Sequence, residues 1–227
     1  DAGLNRVTFS IDSLDPEIFE KITGKSGDSI HRIIDGIEMA VTLGLSPVRI
    51  NSVIRRGVNE EDIERLIERF RHLPVALRFI EFMDVGNHNR WDLASVVPSE
   101  EICRLVKDRW DIQQIPSLHT GQVAKHWSLD SDTGFEVGFI SSVTEPFCGD
   151  CNRARLSADG HIYTCLFATS GHDLRPVLRN PDCLETITER FQTIWSDRED
   201  RYSELRAQPR SSTTIHLPRV EMSYIGG

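Results

Sequence analysis

The chain has 227 residues, 35 of them acidic against 26 Lys and Arg, for a formal net charge of −9. That balance excludes a general nucleic-acid binder, which needs excess cations to neutralise phosphates, and no apolar run is long enough to span a bilayer. Five cysteines are too few, and odd in number, for a disulfide scaffold, so a reducing, cytoplasmic setting is expected.

The length allows one large or two modest domains. The sequence opens at Asp1 and enters a strand-like run, Arg6 to Ile11, almost at once; it is expected to be cut from a longer protein. Pro16 begins a short helix. The helical spacing of Ile30, Ile33, Ile34, Ile37, Ala40 and Val41 predicts a second, with Asp28 as N-cap and Gly44 at the exit. Val48 to Ile54 is a strand. Asn59 is read as the cap of a helix carrying Ile63, Leu66, Ile67 and Phe70, and Val75 to Met83 is the third strand. Strands alternating with amphipathic helices predict α/β architecture with parallel pairing, either an open sheet or part of a barrel. Both place chemistry at the carboxyl ends of the strands. Those ends hold Ser10 and Asp12, Arg49 and Asn51, and Glu81 and Met83.

Beyond Met83 the rhythm changes. A turn-rich segment leads to a helix near Ser99. Strand-like runs at 123–129, 135–141, 153–156 and 162–166 predict a small antiparallel sheet holding the thiols. Asp182 and Glu185 form a capping-box pattern for a last helix. Cys103 and Cys183 lie on helical patterns, where inert thiols are expected. The Gly226-Gly227 ending is either a frayed terminus or a segment able to approach a ligand closely.

Cys148, Cys151 and Cys165 form C-x2-C-x13-C. Three thiolates suit an iron-sulfur cluster with one iron not ligated by protein, an open position for a substrate. Zinc, completed by His161, His172 or Cys183, is the competing reading, and spacing leaves both open. Cys151, Arg153 and Arg155 share strand parity. A two-residue Asp-Gly turn would send Cys165 to the opposite face. A three-residue loop with Gly160 left-handed would set Arg153 opposite Cys165 and Arg155 opposite Tyr163, gathering the three thiols. The two guanidiniums there suit a phosphate-bearing substrate.

The segments FCGDCNRARLSADGHIYTCLFA, RFIEFMDVG and RVTFSIDSLD, with the Gly-Gly ending, together resemble the GTP 3′,8-cyclase family, radical S-adenosylmethionine lyases that open molybdenum-cofactor biosynthesis. The resemblance implies part of a radical-SAM partial (β/α) barrel in residues 1–84. It implies an α+β domain in residues 85–227 carrying an auxiliary 4Fe-4S cluster and the GTP site. In such enzymes a second 4Fe-4S cluster, on an amino-terminal C-x3-C-x2-C loop, cleaves S-adenosylmethionine to a radical that takes the ribose 3′ hydrogen of GTP. C3′ then attacks guanine C8, giving 3′,8-cyclo-7,8-dihydro-GTP.

By the same resemblance Cys148, Cys151 and Cys165 ligate the auxiliary cluster, and Arg49, Arg153, Ala154 and Arg155 contact GTP. Ser10 and Met83 contact S-adenosylmethionine, and Gly226 and Gly227 assist catalysis. Arg49 stands where the family usually has lysine, exchanging a compact ammonium for a planar fork. The implied partners are GTP, S-adenosylmethionine, a reductant, a downstream cyclic pyranopterin monophosphate synthase and a second copy of the chain. No C-x3-C-x2-C occurs here, so the chain is expected to be the carboxyl-terminal two thirds and not competent alone. The alternatives are another radical S-adenosylmethionine enzyme with an auxiliary cluster, or a noncatalytic zinc-binding module.

Overall fold

The structure, a computed structural model, describes residues 3–86, 91–117, 121–179, 184–206 and 219–225. It divides into two compact units. The first comprises the described residues up to Met83 together with Asp92–Pro146, and the second those of Asp84–Trp91 and from Phe147 onward.

The first unit is α/β. Strand β1 (Val7–Ser10) leads to helices α1 (Pro16–Thr23) and α2 (Ser29–Thr42), then β2 (Val48–Ile54), α3 (Asp62–Phe70) and β3 (Val75–Glu81). Helix α4 (Ser99–Arg109) precedes β4 (Gln113–Ile115), β5 (Lys125–Asp130) and β6 (Phe135–Ile140). The six strands form one sheet in the order β1-β2-β3-β6-β5-β4. β1, β2, β3 and β6 are parallel, whereas β5 runs antiparallel to β6 and β4 to β5.

Local chemistry explains the helix starts. Asp15 caps α1 by accepting the N–H groups of Glu17 at 2.9 Å and Ile18 at 3.1 Å, with Pro16 in the first turn. Asp28 makes no side-chain cap on α2, contrary to expectation, and Asn59 does not cap α3. Its amide instead donates to the carbonyls of Asp12 (2.7 Å) and Val53 (2.9 Å) and accepts the Arg55 N–H at 2.8 Å. It joins the ends of β1 and β2. The Asp182–Glu185 capping pattern and Cys183 fall partly or wholly outside the described residues. α6 (Leu184–Ser196) is described from Leu184 on.

One face of the sheet is apolar. Ile50, Ile54, Leu77, Phe79 and Val137 pack there with Ile63, Leu66, Phe70 and Ile102 of the helices, as strand alternation requires. Cys103 is partly buried against this core, and burial pushes its thiol up.

Residues 92–146 group with the first unit, although the sequence reading put them with the carboxyl-terminal part. The reason is β6, which pairs with β3 from Ala76↔Glu136 to Ile80↔Ile140. Two of the four strands expected around the thiols, 123–129 and 135–141, therefore belong to the large sheet.

The second unit holds β7 (Arg155–Leu156), β8 (His161–Tyr163) and β9 (His172–Asp173) in a small antiparallel sheet, with α5 (Arg175–Leu178), α6 and α7 (Tyr202–Leu205). Ile162, Leu174 and Ile194 form its apolar centre. No helix among the described residues is long and apolar enough to cross a membrane.

Candidate functional site

In the first unit the second face of the sheet is polar. Adjacent strands align Ser10, Asn51, Arg78, Gly138 and His126 in one row, and Thr8, Arg49, Ala76 and Glu136 in the next. Arg78 Nε donates to Asn51 Oδ1 at 2.9 Å. Burial, then the charge of Arg49, lowers the Arg78 pKa to about 10. Gly138 makes room for this side chain, since a Cβ there would lie 3.0 Å from Arg78 Cγ and 3.3 Å from His126 Cε1. Glu136 Oε2 meets His126 Nδ1 at 3.0 Å, and that bond, with the attraction of Arg49, holds the Glu136 carboxyl below its ordinary value. Arg78 escaped the sequence reading. The signal was present in VALRFIE, where Arg78 has the parity opposite to Leu77 and Phe79.

The other strand-end candidates have structural partners. Glu81 is buried and accepts N–H groups of Ser99 (2.7 Å), Val143 (2.7 Å) and Thr144 (2.9 Å), and the Thr144 hydroxyl at 2.6 Å. Asp12 accepts the Val53 N–H at 2.8 Å. Met83 lies just past β3.

The second unit contains the thiols. Cys151 N–H donates to the Cys148 carbonyl at 3.3 Å, closing the C-x2-C turn. β7 then pairs with β8 through Arg155↔Tyr163 and Leu156↔Ile162. Ser157 N–H donates to His161 O at 2.9 Å, leaving Ala158, Asp159 and Gly160 as the loop, and Gly160 has φ 83°. This is the expected three-residue loop and register. The ladder stops at Arg155, so Arg153 and Cys165 lie beyond it.

Cys148, Cys151 and Cys165 are all half-buried and free. Arg153 Nη2 donates to Cys151 Sγ at 3.5 Å while its guanidinium lies 5.0 Å from the Phe147 ring centre. Burial would raise the Cys151 thiol, but Arg153, through backbone and guanidinium bonds and its charge, joined by Arg198, brings it below its ordinary value. Cys165 Sγ accepts the Phe167 N–H at 3.4 Å. Burial raises its thiol, as do the nearby Asp200, Cys148 and Cys151. Burial and Arg153 depress Arg155, and Cys165 and Cys151 act against them. Cys165 thus feels the charges of Cys148 and Cys151, and Arg155 those of Arg153, Cys151 and Cys165.

Among the described residues no group of three or more His, Cys, Asp or Glu stands in metal-holding geometry. The donor chemistry nevertheless fits an iron-sulfur cluster. Two sulfurs already accept N–H bonds of the kind that stabilise cluster thiolates, and His161 Nδ1 is turned to Asp159 at 2.9 Å. Gly226 and Gly227 lie outside the described residues. The chain just before them is anchored by the Tyr224 hydroxyl to Asp159 at 2.7 Å and by buried Ile225.

Residues 75–204 match the family described as Molybdenum Cofactor Synthesis C, and residues 1–70 match the Radical SAM superfamily. Over its whole length the chain is 45% identical to a GTP 3′,8-cyclase of Xanthomonas axonopodis pv. citri, covering 65% of that protein. It is 43% identical to one of Acidothermus cellulolyticus, covering 68% of it. The chain belongs to the GTP 3′,8-cyclase family. A relative of the same name from Staphylococcus haemolyticus is 37% identical over the full chain. In this family member β1 and β2 fall in the Radical SAM match, whereas β3, β6 and the whole thiol hairpin fall within the Molybdenum Cofactor Synthesis C match. The chain spans just under two thirds of the length of the Xanthomonas relative.

Proposed function

We propose that this chain is part of a GTP 3′,8-cyclase and that its second unit binds GTP at an auxiliary 4Fe-4S cluster held by Cys148, Cys151 and Cys165. The observation that carries the reading is the C-x2-C turn leading into a hairpin that pairs Arg155 with Tyr163, two residues before Cys165, in a chain whose relatives bear that name. When bound, the cluster supplies an iron with a position free for a nucleotide base, while radical formation belongs to S-adenosylmethionine and a cluster carried outside these residues.

The chain's own side chains do the rest. Arg153 and Arg155 supply fixed, forked cations, and Ala154 adds little bulk between them, leaving room for a nucleotide. On the polar face of the first unit Arg49, with Arg78 beside it, provides positive charge for phosphate. The same face presents Ser10 at the end of β1, and Ser10 and Met83 are the S-adenosylmethionine contacts. Gly226 and Gly227 assist catalysis, and Tyr224 and Ile225, anchored just before them, fix where that tail begins. An external reductant, a synthase consuming the product and pairing with a second copy follow from the same assignment.

Anaerobic reconstitution with iron and sulfide tests the metal. The chain should bind four irons' worth of cluster with broad visible absorbance, whereas a colourless zinc form identifies the structural-zinc module. Cys165→Ala should abolish loading. In the loaded chain, Arg153→Ala should weaken GTP binding by about 1.5 to 3 kcal/mol, the range for a charge-assisted contact. Unchanged affinity by calorimetric titration rejects that role.

A further inference from the structure

Two arginines of the second unit, their side chains largely buried, lie outside the thiol motif, and one of them bonds directly to a thiol residue's backbone. Arg198, just after α6, stacks 4.4 Å from the Trp195 ring centre and donates from Nη2 to the Cys148 carbonyl at 3.4 Å. Its Nη1 is buried with no hydrogen-bond acceptor among the described residues. Its charge reaches Cys151. Asp200 is the facing carboxylate, 3.9 Å from Nε, and Asp200 Oδ2 is itself buried without a hydrogen bond.

Arg206, at the end of α7, has a side chain only 4% exposed. It lies 4.8, 5.5 and 5.6 Å from the ring centres of Phe167, Tyr202 and Trp91. Nε is 3.0 Å from Asp84 Oδ1, a carboxylate shared with Arg219 at 3.1 Å, and Nη1 is buried with no acceptor among the described residues. Arg206 also interacts electrostatically with Cys148.

A buried guanidinium keeps its proton and is costly unless an anion compensates it. Asp200 at 3.9 Å from Arg198, and Asp84 divided between Arg206 and Arg219, supply only part of that compensation, and neutral thiols add none. A cluster on three thiolates is anionic and becomes more so when it accepts an electron. We infer that Arg198 and Arg206 are charge partners of the auxiliary cluster, favouring its reduced state and so raising its reduction potential. This rests on the cluster reading above and adds residues that neither the motif nor the nucleotide contacts include. Net charge and hydrogen bonding around the sulfurs are what set such potentials. Two cations delivered from a separate helical segment act on both.

The test is an electron-resonance redox titration of the 227-residue chain, reconstituted anaerobically, against Arg198→Gln, Arg198→Lys and Arg206→Gln. Arg198→Gln keeps a donor for the Cys148 carbonyl and removes the charge. Its reduction equilibrium should shift about tenfold toward the oxidised form, which is about 59 mV for one electron. Arg206→Gln should shift the same way and Arg198→Lys should restore most of the loss. Wild-type potentials in both glutamine variants overturn the inference, as does a lysine variant displaced as far as the glutamine one. If Arg198→Gln loses its iron while Arg198→Lys keeps it, the charge is needed to hold the cluster and the inference stands; if both lose it, the role is structural and the inference fails. Should Arg206→Gln fail to fold, the Arg198 pair decides. Iron analysis of the unsubstituted chain separates the two levels. Zinc alone sinks the cluster reading itself, whereas a loaded cluster with unmoved potentials in the variants sinks only this step.

Discussion

At Glu81 a strand-end carboxylate that could serve chemistry holds the scaffold instead. Its oxygens accept four bonds, from the Ser99, Val143 and Thr144 N–H groups and the Thr144 hydroxyl, in a fully buried position. Glu81→Gln keeps the shape but turns one acceptor into a donor facing donors. It should lower unfolding free energy by about 2 to 3 kcal/mol, the cost of losing hydrogen bonds to a charged group, read as a reduced denaturation midpoint. An unchanged midpoint removes Glu81 from the scaffold. Asp12 gives a pH signature. Burial raises its carboxyl above the ordinary value, partly offset by the Val53 N–H. The unfolded chain therefore ionises Asp12 first, and the folded state loses stability as pH rises from about 4, the ordinary carboxylate value, toward the raised one. Asp12→Asn, which can still accept from Val53, removes that loss. The variant should gain on wild type as pH rises through this window and hold a constant difference above it. A difference already constant from pH about 4 would mean that Asp12 titrates normally in the fold.

Among the elements, the β7–β8 hairpin was legible because its argument was geometric. Side-chain period two and the need to turn Cys165 to the face of Cys151 selected one loop length, and Gly160 at φ 83° provides it. β2 was equally legible, since its alternation marks a strand with one buried face. The partners of β5 and β6 were not. Alternation shows that a strand has two faces but not which sheet it joins, and the pairing of β6 with β3 bridges residues 76–80 and 136–140. Asn59 misled for a similar reason. A short amide before a helix reads as a cap, yet the strand ends beside it offered three backbone partners. Arg198 carries no local signal, because its bond to the Cys148 carbonyl exists only in the folded chain. The hairpin makes its own prediction: deleting Ala158 shortens the loop to two residues and shifts the register, turning Cys165 to the opposite face. Iron content after reconstitution should collapse while far-ultraviolet dichroism, dominated by the helices of the first unit, stays near wild type. Full iron loading in the deletion would show that the thiols gather independently of the loop.

The two units depend on different forces. The first is held by a broad apolar core in which Ile37, Ile50, Leu66, Phe70, Leu77 and Phe135 are fully buried. The second has Ile162, Leu174 and Ile194 at its centre, packed with Val177, and strands of two or three residues. Burial of that little apolar surface contributes only about 1.5 to 3 kcal/mol per large side chain, so a ligand that ties Cys148, Cys151 and Cys165 together becomes a large share of this unit's stability. Metal binding free energy is then folding free energy. Hydrogen exchange on the apo and reconstituted chains reads this directly. Amides of residues 151–168 should gain protection on cluster loading, while those of β2 and β3, inside an independent core, should exchange as before. Protection that rises equally in both units would tie the large core to the metal. Protection that rises in neither would mean the second unit is already rigid without a cluster, with the hairpin formed by its own backbone pairing alone.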